Sequence, residues 1–224
     1  MGLRGQDFTK TSHTKPYAAI ALSRPELSQA GRTVLVTGGT AGIGYAIARG
    51  FLRAGAARVI ILGRNAERAA ASAESLRQEA REANPEATGA EVVGLAVDMA
   101  DAAAIEKLWK RFGGGDGKEK DKIVVDVLVL NAASFSPPKT IMELGVNGLW
   151  RDFEVNVRAQ VDMAERFYKQ TGKPADRPLV CSIHLVTLCP ITTFIVPPSR
   201  QLLLYWHPYL PMGSLLAGVS SVIE

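Results

Sequence analysis

Apolar residues in this chain fall into short, nearly unbroken runs, separated by longer stretches in which they recur every three or four positions. Thr33-Val34-Leu35-Val36 reads as a buried strand, and Tyr45 to Arg53 as a helix with Ile43, Ala46, Ile47 and Phe51 on one face. Arg58 to Leu62 is a second strand. Asn65 is placed to cap a helix carrying Ala69, Ala73, Leu76 and Ala80, which Asn84-Pro85 stops. Glu91 to Val97 reads as a third strand, and Asp101 as the cap of a helix with Ile105, Leu108 and Trp109 inward. Gly113 to Asp121 is a glycine-rich charged loop, and Val124 to Leu130 a fourth strand. A long helix within Gly145 to Tyr168 carries Phe153, Val157, Val161, Ala164 and Tyr168 on one face, and Leu179 to Ile183 forms a fifth strand.

Strands alternating with helices of this length imply right-handed βαβ units and a doubly wound α/β fold. The strands lack polar alternation, as expected of a parallel sheet covered on both faces. Three parts follow: a polar arm over 1–31, a nucleotide-binding α/β domain over 32–184, and an atypical tail over 185–224. The change of character begins at Arg177. The 48 residues from there hold three charged side chains (Arg177, Arg200 and Glu224), six of the twelve prolines, both cysteines and no lysine. Leu179 to Val196 has no formal charge, yet Pro190, His184 and several hydroxyl residues disfavour a membrane span.

A length of 224 residues allows one domain with a substantial core. The net charge of +4 is spread among interleaved acids, which argues against a nucleic-acid surface. Cys181 and Cys189 are too few for a disulfide framework or a zinc site, so no metal is expected. Met1 to Lys15 lacks the apolar core of a secretory signal, and Gln6 stands where N-myristoylation after Gly2 wants Ser or Thr. A cytoplasmic location is the expectation.

Chemistry enters at Thr37-Gly38-Gly39-Thr40-Ala41-Gly42-Ile43-Gly44, a glycine-rich turn between strand and helix. Such a turn lets backbone approach a pyrophosphate, whose charge rests on the helix N-terminus. The bland alternative is a tight turn with no ligand. The second strand ends Leu62-Gly63-Arg64-Asn65. Where NAD-binding proteins of this plan place an acid for the adenosine ribose, Gly63 leaves space and Arg64 supplies a cation suited to a 2′-phosphate. NADP is therefore expected over NAD. Asp98 and Asn131 each follow a strand at the edge where ligands gather, although a turn role is open to both.

Together these residues resemble the short-chain dehydrogenase/reductase family from about Arg32 to Ile183. Thr37 to Gly44 resembles the family's TGxxxGxG turn, with Thr37, Gly38, Thr40, Gly42, Ile43 and Gly44 as the cofactor-binding positions. Asp98-Met99 is similar to the adenine-contacting Asp element, and Leu130-Asn131-Ala132-Ala133 to its NNAG element, with Leu and Ala as departures. Phe153-Glu154-Val155-Asn156-Val157 resembles the segment holding the family's structural and catalytic Asn, here Asn156. Ser23-Arg24-Pro25-Glu26-Leu27 is similar to the lead-in of fungal members.

The resemblance implies a Rossmann-type sheet, incomplete on its C-terminal side, and hydride transfer between NADP and a small carbonyl or alcohol. It also implies a Tyr with a Lys four residues on, and a Ser that orients the substrate oxygen. Ser182 lies where that Ser region begins. No Tyr-x-x-x-Lys occurs: Tyr168 has Lys173 at plus five, and Tyr205 and Tyr209 have no lysine after them. His184 is a conceivable substitute acid–base group, though a lone His in an apolar run is more often structural. Two expectations therefore stand together. One is an NADP-dependent oxidoreductase, possible as a homo-oligomer; the other is a non-catalytic nucleotide-binding or truncated product. A membrane-anchored or partner-binding fragment rests on the apolar tail alone.

Overall fold

The computed structural model describes residues 17–22, 24–83, 89–113, 122–137 and 140–170, with backbone placement for 179–182, 184–185 and 205–206. The first sixteen residues, Ser23, the Asn84-Pro85 stop, the 114–121 loop, Lys173, Cys189 and Pro190 lie outside the described residues. So do the side chains of Cys181, Ser182 and His184.

Five strands make one parallel sheet: β1 (Thr33–Thr37), β2 (Arg58–Gly63), β3 (Glu91–Ala96), β4 (Val127–Leu130) and β5 (Leu179–Ser182), in the order β3-β2-β1-β4-β5. Helices α1 (Gly42–Arg53), α2 (Ala66–Ala83) and α3 (Ala102–Phe112) follow the first three strands; α4 (Ile141–Phe153) and α5 (Ala159–Lys169) follow β4. A two-residue parallel pair, β6 (His184–Leu185) with β7 (Tyr205–Trp206), stands apart from the main sheet. This is the Rossmann-type arrangement expected. Strand residues alternate between two cores. Leu35, Ile60, Leu62 and Leu128 pack with Ile105, Trp109, Met163 and Phe167 under α3 and α5. Val34, Val36, Ile61 and Val129 pack with Ala48, Leu52, Ala73 and Leu76 under α1 and α2.

The two predicted caps form. Asn65 Oδ1 accepts from Arg68 N at 2.8 Å, and Asp101 Oδ1 accepts from Ala103 N and Ala104 N at 2.9 and 3.1 Å. The start of β4 moves from Val124 to Val127, because the backbone of Val125 bonds the Gln170 amide instead of a strand, through N–H and C=O both.

Two helix faces differ from expectation. On α1 the inward residues are Gly44, Ala48 and Leu52, while Ala46 is exposed and Ile43, Ile47 and Phe51 are half-buried. The glycine turn draws the helix so close to the sheet that only small side chains fit beneath its first two turns. The long predicted helix is α4 and α5 joined by a π-helical turn over Glu154–Arg158, with a break at Gly145 (φ 69°). Its core face is Val155, Ala159, Met163 and Phe167, whereas Phe153, Val161 and Tyr168 from the predicted stripe are 40%, 38% and 53% exposed. With Met142, Val146 and Trp150 they leave this helical stretch with exposed apolar side chains.

Candidate functional site

The chain leaves β1 toward β2 on one side and later returns to β4 on the other, so a crevice opens at the carboxyl ends of β1 and β4. Thr37, the last residue of β1, is buried there and ties the two strands together. Its hydroxyl donates to Val129 O (3.3 Å) and accepts from Asn131 N (2.9 Å) and Ala132 N (3.0 Å). Asn131 answers from β4, its Nδ2 donating to Thr37 O at 3.1 Å and Gly38 O at 3.2 Å. Thr37 and Asn131 therefore spend their polar atoms on shaping the turn.

The turn needs its glycines. A β-carbon on Gly44 would lie 2.5 Å from Asn131 Nδ2 and closer still to Gly38 O, so helix and loop approach as only glycine permits. Gly42 has φ 55° and nothing within 4 Å of where its β-carbon would be, which leaves open space at the first turn of α1. Ile43 is half-buried beside it, and no side chain caps the helix. The unbonded N–H groups and positive dipole end of α1 thus face an uncluttered approach, a fit for a phosphate group.

At the end of β2, Arg64 is exposed and forms no hydrogen bond or ion pair among the described residues. The room expected at Gly63 is not empty: a β-carbon there would meet Thr40 Cγ2 at 2.5 Å and Thr40 Oγ1 at 2.9 Å. After β3, Asp98 Oδ1 accepts from Ala100 N at 3.0 Å, a turn role that leaves its second oxygen without a partner among the described residues.

The loop leaving β4 is held by three side chains that the sequence reading did not assemble. Asp152 Oδ2 accepts from Ser136 N at 2.9 Å. Asn156 clamps Ser134, accepting from its N–H at 2.8 Å and donating to its carbonyl at 2.7 Å. Gln160 Nε2 donates to Ala132 O at 3.0 Å, and its buried Oε1 has no partner among the described residues. Every fourth helix residue bonds every second loop residue. The π-helical turn over Glu154–Arg158 lies in the middle of this series and sets the spacing of its rungs. The signal in the sequence was a polar residue at each of 152, 156 and 160.

Burial pushes the Asp152 carboxyl up, but hydrogen bonds from the Ser134 hydroxyl and from Ser136 outweigh it and hold the group below the ordinary 3.8. A depressed acid stabilises the fold above its unfolded value, and that contribution is lost as pH falls through the lower folded value. The thermal midpoint should therefore drop more steeply below about pH 4 in the wild type than in Asp152→Asn. Parallel acid profiles would contradict this.

Ser182 ends β5 opposite Leu130, which puts its backbone at the crevice edge. Tyr168 does not reach it. It lies near the end of α5, close to Gln170, which bonds Val125 ahead of β4 at the amino-terminal ends of the strands, away from the crevice. Among the described residues no cluster of three or more His, Cys, Asp or Glu is placed to hold a metal, and no helix is long and apolar enough to cross a membrane.

The comparisons with known proteins agree with this architecture. The family model described as short chain dehydrogenase matches residues 32–175. A short chain dehydrogenase/reductase of Macrophomina phaseolina is 40% identical over 158 residues, covering 69% of this chain and 81% of the relative. One from Aspergillus aculeatus is 28% identical over 163 residues, covering 73% of this chain and 51% of the relative. The 3-oxoacyl (acyl-carrier-protein) reductase of Agrobacterium tumefaciens, solved with NADP bound, superposes with a TM-score of 0.55 at 29% identity, over 73% of this chain and 57% of that one. This chain thus spans about half the length of several proteins it matches. With the crevice, the glycine turn and the family match in agreement, the chain belongs to the short chain dehydrogenase family.

Proposed function

We propose that the crevice binds NADP and that the site serves hydride transfer to or from a small carbonyl or alcohol. The observation that carries this reading is the pairing of an uncapped α1 N-terminus, open at Gly42, with the unpartnered guanidinium of Arg64 at the end of β2. Gly38, Gly42, Ile43 and Gly44 would carry the pyrophosphate on backbone N–H groups. Arg64 would meet the 2′-phosphate with its fork of donors. Asp98 keeps an oxygen for the adenine side, while Thr37, Asn131 and Asn156 hold the turn and the β4 loop in register. Bound NADPH supplies the hydride for such chemistry. The NADP in the Agrobacterium reductase crystal supports the choice of cofactor class.

The test is titration with NADPH and NADH by calorimetry or nucleotide fluorescence. Tighter NADPH is expected; equal affinity or tighter NADH overturns the assignment.

A second reading, nucleotide binding without turnover, is favoured by one specific observation. The sequence has no Tyr-x-x-x-Lys, and Tyr168 lies toward the amino-terminal ends of the strands, away from the crevice. A tyrosine near its unperturbed pKa of ~10 is a poor base at neutral pH without a neighbouring cation. NADPH absorbance followed with a panel of ketones and aldehydes separates the two readings. Oxidation of NADPH supports catalysis, and binding without oxidation supports the second.

A further inference from the structure

The loop leaving β4 is clamped to Asp152 and Asn156, and α5 ends beside Val125 ahead of β4. α4 therefore stands at the carboxyl ends of the strands. Past its break at Gly145 it carries Val146, Leu149, Trp150 and Phe153 at i, i+3, i+4 and i+7, the spacing of one helix face. None of these residues is charged. Val146 is 72% and Trp150 60% exposed, so no described element covers them, and Phe153 stacks on Trp150 with ring centroids 6.0 Å apart.

β5 delivers the chain to the same end of the sheet. Ser182 pairs with Leu130; two residues on, His184 and Leu185 pair with Tyr205 and Trp206. Segment 207–224 thus departs from a strand pair joined to β5 through Ile183 alone. The segment lies outside the described residues, but its sequence is patterned. At helical spacing Met212, Leu215, Leu216, Val219, Val222 and Ile223 fall within an arc of about 120°, and Ser214, Ser220, Ser221 and Glu224 fall outside it. The first four apolar positions repeat the i, i+3, i+4, i+7 spacing of the α4 face.

We propose that segment 207–224 docks on α4 of its own chain as an amphipathic helix, with its apolar stripe against Val146, Trp150 and Phe153. Gly213, Gly218 and a length of a few turns make such a helix marginal in water, so it needs a surface to pack on. Glu224 is the segment's one charged side chain, so neither side brings a charge to the contact. A second copy fits the same face less well. The part of α4 over 146–153 is about 12 Å long and about 10 Å across, whereas a stable dimer takes roughly 800 Å² from each partner. A tethered segment escapes that demand, because its effective concentration is on the order of millimolar.

Photocrosslinking in the full chain tests the docking, with p-benzoylphenylalanine in place of Trp150 and, in a second variant, of Val146. An adduct within one chain, joining the label to 207–224, is expected by peptide mass spectrometry at both sites. Leu216→Asp puts a charge into the stripe and should cut the yield about tenfold, the scale of losing one buried leucine. The same label in place of Glu82, exposed on α2, is the control and should give no adduct with 207–224. Adducts that join two chains overturn the proposal in favour of a second copy. Equal yields from position 82, or from Leu216→Asp, overturn it as well. So does the lack of an adduct at both α4 sites in chains that unfold cooperatively on heating.

Discussion

Gly44→Ala is expected to unfold at a lower temperature than the wild type and to lose measurable NADPH binding. The added methyl would press against the carbonyl of Gly38 and the amide of Asn131, both fixed by the Thr37 network, so the first turn of α1 must lift from the sheet. Overpacking a rigid contact costs about 1–3 kcal/mol. Lifting the helix also displaces the N–H groups proposed to meet the pyrophosphate. Gly94→Ala is the control. A β-carbon there would strike the backbone of Ala69, where α2 crosses β3, outside the crevice. It should lose comparable stability and bind NADPH normally in its folded fraction. Calorimetric unfolding combined with nucleotide titration checks both. Normal binding by Gly44→Ala would refute the argument that this contact shapes the site.

Thr37→Val should have the largest effect on stability of any conservative change in the crevice. The substitution preserves shape and removes one hydroxyl that serves three backbone groups: Val129 O, Asn131 N and Ala132 N. Val129 O lies in the buried part of the junction of β1 and β4, while Asn131 and Ala132 are half-buried at the crevice. Leaving a buried group unmatched costs roughly 1–3 kcal/mol and a half-buried one less, so a total of about 3 kcal/mol is the expectation. That corresponds to a fall of about 6–12 °C in thermal midpoint for a chain of this size. A change under about 2 °C would show that the junction recruits other partners.

Much of the sheet was legible because its strands are buried on both faces, and a continuous run such as Val34-Leu35-Val36 has no other comfortable place. The caps at Asn65 and Asp101 were equally local, each a single side chain meeting an N–H two or three residues on. The helix after β4 was misread for a physical reason. It carries two stripes, and the more uniformly apolar one, Phe153, Val161 and Tyr168, turns outward. The inward stripe looks poorer because Asp152, Asn156 and Gln160 interrupt it, and those polar residues are inside to satisfy a strand-end loop that the sheet does not bond. Gly63 was misread similarly. Its apparent vacancy belongs to Thr40, twenty-three residues earlier, and only the pairing of β1 with β2 brings the two together.

The four bonds that join Asp152, Asn156 and Gln160 with Ser136, Ser134 and Ala132 act as a ruler laid between helix and loop. The π-helical turn between the rungs confines the match to this stretch. It also makes chain length a constraint in its own right. One residue added between 152 and 160 would rotate every later rung away from its loop partner and put Val155 or Ala159 in the place of a polar residue. Divergence in this segment should therefore proceed by exchange of residues and not by gain or loss of them.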